Sequence, residues 1–226
     1  MPHVDAYDEK GKRIPSVTEV LSILRSKGLE TFANHLGFNR QDYKTFMDEL
    51  GVIGTATHAM AQAYLEGVPY KPISTDVTIE MRADKKFQVF KAWAEEAHPK
   101  ALAMEKHLNN GRYAGTYDAI LQYPEGAIGL VDFKTSKRPR PYQMVQLGGY
   151  LNLIEECEPD LYKELTFASL LILGQNDGTI KIVSRNMRQM KIYQKAFEQI
   201  YMLFMVLKDI LWDDWNRTRI IEGWTQ

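Results

Sequence analysis

The sequence predicts an α/β fold in which a small sheet lies between helices, with a helical N-terminal region and a long C-terminal helix. Three observations carry this reading. Apolar residues recur at helical spacing before about residue 100 and after about residue 187. Between these stretches lie short runs rich in Val, Ile, Leu and Thr, bounded by Gly, Pro, Asn and Asp turns. No internal repeat, low-complexity tract or flexible linker interrupts the chain. Residues 1–226 are therefore expected to form one domain: a mainly helical part over 1–100, a core over 101–186 and a terminal helix over 187–226. With 226 residues and 45% hydrophobic content, the chain is long enough to fill one core.

The elements follow in order. Residues 1–15 suggest an extended arm or a short hairpin around Asp8-Glu9-Lys10-Gly11. Ser16 is placed to cap a helix, with Glu19 three residues on as in a capping box, and Gly28 is the expected stop. A polar, aromatic-dotted helical stretch leads to Leu50, and Gly51–Thr55 introduces a helix that Gly67 and Pro69 end. Residues 70–79 look irregular or weakly extended. Helical periodicity returns over Glu80–Glu96, with Phe87, Phe90, Ala94 and Ala97 along one stripe. Strands are expected at Leu102–Glu105, Arg112–Tyr123 and Ala127–Lys134, the last two joined by the turn Tyr123-Pro124-Glu125-Gly126. After Pro139 and Pro141 a helix runs over Tyr142–Glu156. Thr166–Leu173 and Thr179–Ser184 form a second hairpin around Asn176-Asp177-Gly178. The terminal helix spans Met187–Trp212, with Tyr193, Phe197, Ile200, Tyr201, Phe204, Leu207 and Leu211 at helical spacing.

Bulk properties exclude several classes. Cys157 is the only cysteine, which rules out an internal disulfide, a Cys-rich zinc site and a four-cysteine iron–sulfur cluster. The polar N-terminus lacks the apolar segment of a signal peptide. Ile200–Trp212 is interrupted by Lys208 and Asp209 and is too short to span a bilayer. A soluble cytoplasmic protein is expected. Net charge is -1, from 28 basic and 29 acidic side chains, so any polyanion binding must come from a local patch.

The chemistry concentrates in GTYDAILQYPEGAIGLVDFKTSK. In an extended strand, residues i and i+2 share a face, so Asp132 and Lys134 point the same way. If the two runs pair as a hairpin, Asp118 comes alongside them. Two carboxylates and an ammonium on one small volume suit a hard divalent cation together with a phosphate. The apolar approach Gly129-Leu130-Val131 makes such charges expensive unless they are paired or used. Next comes a basic loop over residues 134–140, in which Ser136, Lys137, Arg138 and Arg140 can track a phosphate backbone. Gln146 and Tyr150, four residues apart on the following helix, share a face. They could hold the lysine, a water or a phosphate, and Gly148 and Gly149 between them permit a close backbone approach. His58, in GVIGTATHAMAQAYLEG, is a lone helix histidine; such residues are usually structural, and imidazole suits Mn2+ better than Mg2+.

Taken in order, Gly54-x3-His58, Gly115-x2-Asp118, Asp132-x-Lys134 and Gln146-x3-Tyr150 resemble the motifs of the PD-(D/E)XK nuclease superfamily, in its RecB-like and lambda-exonuclease-like branch. Pro15-Ser16-Val17-Thr18 resembles the opening motif of the phage and mitochondrial genome-maintenance exonucleases of that branch. The resemblance covers residues 15–150.

It implies a restriction-endonuclease-like core, with a small mixed central sheet flanked by helices. It also implies roles. His58, Asp118 and Asp132 would bind Mg2+ or Mn2+, helped by the main-chain carbonyl of Phe133. Lys134 would be the catalytic lysine, Gln146 and Tyr150 would support the site and the DNA, and Glu105 is a further candidate acid. The expected activity is hydrolysis of phosphodiester bonds from DNA ends, single- or double-stranded, in recombination, repair or phage DNA metabolism. Candidate partners are a recombinase, a single-strand-binding protein or further copies of the chain, in a bacterial or phage-infected cell. The iron–sulfur branches are excluded by the cysteine count. A structure-dependent endonuclease and a non-catalytic DNA-binding protein on the same fold are the alternatives.

Overall fold

The computed structural model describes residues 5–24, 42–174 and 178–221, the last twelve of these by backbone alone. Gly28, most of the stretch before Leu50 and the turn residues Asn176 and Asp177 lie outside the described residues.

The chain opens with a hairpin of β1 (Ala6–Tyr7) and β2 (Arg13–Ile14). Its turn is tied by the Asp8 carboxylate, which accepts from the amides of Lys10 (2.9 Å) and Lys12 (2.8 Å). Helix α1 (Val17–Val20) continues as a 3-10 turn over Leu21–Ile23. Ser16 caps it as expected, its hydroxyl accepting from the Glu19 amide at 3.0 Å. The reciprocal half of the box is diverted, because the Glu19 carboxylate accepts two bonds from Arg13.

Helix α2 (Tyr43–Glu66) starts earlier than Gly51 suggests, since Asp42 caps it through the Thr45 amide at 2.7 Å. It ends at Gly67 in left-handed backbone. Helix α3 (Val77–Ala97) begins three residues ahead of its periodic stripe, at the Asp76 cap. Strands β3 (Lys100–Asn109), β4 (Ala114–Gln122) and β5 (Ile128–Lys134) follow. Then come helices α4 (Pro141–Cys157) and α5 (Pro159–Glu164), strands β6 (Phe167–Ile172) and β7 (Lys181–Asn186), and helix α6 (Met187–Ile221). Strand β3 has 10 residues against the four expected, because the polar residues Lys106, His107 and Asn109 hide its second half, which pairing with β4 reveals.

The five-stranded sheet has the order β3-β4-β5-β6-β7 and is mixed. β5 and β6 run parallel, joined through α4 and α5, and the other pairs are antiparallel. Helices cover both faces. On one side, α4 and α6 bury Leu147, Leu151, Ile154, Met190 and Phe197 against Ile120, Leu130, Leu170 and Ile172. On the other, α2 and α3 bury Ala61, Phe90, Trp93 and Ala94 against Leu121, Val131, Phe133 and Leu171. This double cover explains why β5 and β6 read as continuous apolar runs. Among the described residues no helix is long and apolar enough to cross a membrane.

Candidate metal centre

The β4–β5 ladder places the first two acids. Its last registered pair is Ala119 with Val131, so the next position along sets Asp118 beside Asp132. There the backbone ladder stops. The Phe133 amide instead donates to the Asp118 carboxylate at 2.7 Å, and a side chain takes the place of a strand acceptor. Both carboxylates are buried, Asp132 to 1% exposure.

The alternation of faces also breaks at this point. Tyr117 packs under α4 and α6, whereas Ala119, two residues on, packs under α2 and α3. Directly opposite on β3, between the registered pairs Met104–Ala119 and Lys106–Tyr117, stands Glu105. Its φ of 46° lies in the left-handed region that side chains other than Gly and Asn seldom enter. The shared twist turns the Glu105 and Asp118 carboxylates toward helix α2.

His58 meets them from that helix. Its Nδ1 lies 3.5 Å from Asp118 Oδ2. The ring is braced edge-on by Phe133, centroids 5.8 Å apart, and Phe133 in turn rests on Phe90 at 5.1 Å. One donor atom each from His58, Glu105 and Asp118 lie within 4.8 Å of one another. Of the three ligands expected from sequence, His58 and Asp118 are brought together and Glu105 joins them. Asp132 is engaged differently, its Oδ2 ion-paired to Lys134 Nζ at 2.6 Å.

The protonation equilibria reflect this crowding. Burial pushes the Glu105 carboxyl up to about 7, with Asp118 adding to the rise. Burial likewise raises Asp132 to about 6 against the pull of Lys134. For Asp118, burial is outweighed by His58, Lys134 and the Phe133 amide, and the group stays below the usual carboxylate range. Burial works to lower His58 and Lys134, but their carboxylate neighbours leave both above their ordinary values. The Lys134 ammonium, paired with Asp132, can donate hydrogen bonds and supply charge.

Gln146 and Tyr150 stand on the other face of the sheet. Gln146 Nε2 donates to the Tyr150 hydroxyl at 2.9 Å, which leaves the phenol hydrogen free to donate. Burial raises the Tyr150 pKa, and Asp132 and Asp118 raise it further, placing the phenol near both carboxylates. A Cβ at Gly115 would come within 2.8 Å of the Tyr150 ring and 3.0 Å of Val17, so Gly115 makes room for the tyrosine. The basic loop runs alongside: Lys137, Arg138 and Arg140 are exposed, and the Ser136 hydroxyl donates to the Arg138 carbonyl at 3.1 Å. A residue that motif reading passes over is Lys86, whose Nζ donates to the Thr135 carbonyl at 2.9 Å. Its one signal is a lysine a single turn ahead of Phe90 on the buried stripe of α3.

An imidazole and two carboxylates that close together form a donor set for a divalent cation, with one nitrogen and hard oxygens. The His58, Glu105 and Asp118 donors could together hold a metal ion, with Asp132 on the neighbouring strand.

No family model matches the chain, and no curated protein matches it. Among solved structures, an alkaline exonuclease (LHK-Exo) from Laribacter hongkongensis aligns over 93% of this chain and 95% of its own, at 10% identity and a TM-score of 0.44. A second structure of LHK-Exo, in complex with dAMP, aligns over 70% of this chain and 92% of its own (10% identity, TM-score 0.33). The protein SSO0001 aligns over 69% of this chain and 74% of its own, at 16% identity and a TM-score of 0.33. Likenesses of this strength assign neither a family nor an activity to the chain, and the reading of the site rests on its own geometry.

Proposed function

We propose that the chain is a divalent-metal-dependent deoxyribonuclease that hydrolyses phosphodiester bonds from DNA ends. The observation that carries this is the convergence of His58, Glu105 and Asp118 within 4.8 Å, beside an ion pair of the buried Asp132 with the half-buried Lys134. Such a group destabilises a fold unless it is used, because each buried charge loses its hydration. The motif order Gly54-x3-His58, Gly115-x2-Asp118, Asp132-x-Lys134 and Gln146-x3-Tyr150 supports DNA as the substrate and its ends as the point of attack.

The roles follow from position. His58, Glu105, Asp118 and Asp132 would hold Mg2+ or Mn2+, with the Phe133 carbonyl as a further ligand. When bound, the cation neutralises charge on the phosphoryl group and makes water more acidic. Lys134 is held by Asp132 so that its remaining N–H bonds can orient the attacking water and steady the developing negative charge. The Tyr150 phenol, held by Gln146, would keep its hydrogen for the carboxylates, a water or a phosphate. Phe133 and Phe90 form the apolar wall behind His58 and exclude bulk water from that side. The loop carrying Ser136, Lys137, Arg138 and Arg140 would follow the DNA backbone.

The test is digestion of 5′- and 3′-labelled linear DNA, single-stranded DNA and covalently closed circular DNA, with Mg2+, Mn2+ or chelator. Expected is metal-dependent release of nucleotides from linear DNA, with closed circles intact. Asp118→Asn and Lys134→Ala should each lower the rate by at least roughly a hundredfold while leaving the folded circular-dichroism spectrum in place. Cleavage of closed circles would make the enzyme an endonuclease. Undiminished cleavage by either variant would remove the proposed site.

A further inference from the structure

Helix α3 reaches the site through one side chain that the roles above leave unused. Lys86 is partly buried, yet among the described residues no carboxylate pairs with it. Among those residues its one hydrogen-bond acceptor is the Thr135 carbonyl at 2.9 Å, one residue past Lys134. An ammonium has three N–H donors, so two remain. Among the described residues its charged neighbours Arg82 and Lys137 have the same sign: burial lowers the Lys86 pKa, and both cations lower it further. Arg82 is held by an ion pair with Glu49, which fixes the guanidinium on this side of α3.

A lysine that only braces two elements does not need this setting. A lysine brace gains most from a carboxylate partner, and a carbonyl alone is braced as well by a neutral side-chain donor, whereas an ammonium half out of water beside like charges costs free energy until an anion arrives. The anion available to a DNA-cleaving site is the substrate's own backbone. Thr135 directly follows Lys134 in the chain, so the Lys86 ammonium is tied to the backbone one residue from the proposed catalytic lysine. Gly54, one helical turn ahead of His58, faces the same threonine: a Cβ there would lie 3.5 Å from Thr135 Oγ1. Helices α2 and α3 and the end of β5 therefore meet at Thr135, and Lys86 is the cation at that meeting point.

We propose that Lys86 binds a backbone phosphate of the substrate strand adjacent to the scissile one, with the Thr135 carbonyl holding its ammonium in place. This deepens the nuclease reading and rests on it. Lys86 is a binding residue and takes no part in the bond cleavage.

The experiment measures binding and turnover of labelled linear DNA by the full chain and its Lys86→Gln and Lys86→Arg variants, with binding read in a Lys134→Ala background. Lys86→Gln should weaken binding roughly three- to tenfold and reduce the slope of log affinity against log salt by about 0.7–0.9, the loss of one phosphate contact. Lys86→Arg should restore most of both. A scan of single uncharged methylphosphonate linkages should reveal one position next to the cleavage point that weakens the parent protein and leaves Lys86→Gln unaffected. The inference is overturned if Lys86→Gln keeps the full salt slope and the full response to every uncharged linkage, a fall in kcat or Tm alone marking a brace. If the unsubstituted protein neither binds nor cleaves DNA, the nuclease reading fails and takes this inference with it. If it cleaves normally, only the role of Lys86 is at stake.

Discussion

Glu105 shows most plainly how one residue is held against its own preference. It sits mid-way along an edge strand with φ 46°, a conformation that costs a residue with a Cβ about 1–2 kcal/mol. It also keeps a partly buried carboxyl opposite a second one, Asp118. Both burdens disappear in Glu105→Asn, since Asn tolerates the left-handed region and carries no charge. That variant should be about 1 kcal/mol more stable than the parent in chelator, measured by denaturant unfolding. It should at the same time bind Mn2+ roughly tenfold or more weakly by titration calorimetry. A variant less stable in chelator, or one that binds Mn2+ as tightly, would show that the conformation serves the strand and not the site. Sequence alone offered Glu105 only as an outlying candidate, because no glycine or asparagine marks the break. The face switch between Tyr117 and Ala119 was equally hidden: the strand keeps its length and apolar character, and only its twist changes.

At the scale of elements, the seam between α4 and α6 depends on the two glycines whose close backbone approach the sequence suggests, and the approaching backbone is that of α6. A Cβ at Gly148 would lie 2.5 Å from the Tyr193 carbonyl, and one at Gly149 would lie 2.8 Å from the Phe197 ring. Across the seam Asn152 and Gln194 exchange bonds, the Gln194 amide donating to Asn152 Oδ1 at 2.8 Å. Gly148→Ala meets backbone, which cannot rotate away, and should cost about 2–3 kcal/mol by thermal or denaturant unfolding. Gly51→Ala is the contrast. Gly51 is an exposed position inside α2 with nothing within 4 Å of the added carbon, so the substitution should stabilise by about 0.5–1 kcal/mol. A reversed order of the two variants would refute the packing account. The same contrast explains what was legible. Turns, caps and stripes are local, so the Ser16 cap, the Tyr123–Gly126 turn and the β6–β7 hairpin stand close to their sequence positions. The starts at Asp42 and Asp76 lie ahead of the sequence expectation: Gly51 and Gly54 suggest a boundary where α2 is continuous, and the apolar stripe of α3 begins three residues after its cap.

For the whole molecule, the five elements that build the site come from both faces of the sheet: α2 from one, α4 from the other, and β3, β4 and β5 between. The order of motifs along the chain carried the partners, and the strand pairing carried their meeting point. The division of labour was not legible, because Asp132 pairs with Lys134 while Glu105 completes the triad with His58 and Asp118. That division fixes how metal binding must depend on pH. The Glu105 carboxyl is held at about 7 and that of Asp132 at about 6, both above their ordinary values of 4.5 and 3.8. A carboxyl raised by folding supports the metal-free fold fully below its ordinary pKa and withdraws that support as pH rises through the raised value. A cation binds the deprotonated forms, and His58, itself raised by Asp118, must also lose its proton. All three groups act in one direction, so the rise in Tm produced by saturating Mg2+ should be larger at about pH 8 than at about pH 5.5. In Asp118→Asn the difference between the two conditions should shrink along with the rise itself. Differential scanning fluorimetry across this range, with chelator as the baseline, measures it directly. A metal-induced rise that is flat with pH, or that survives intact in Asp118→Asn, would place the cation away from His58, Glu105 and Asp118.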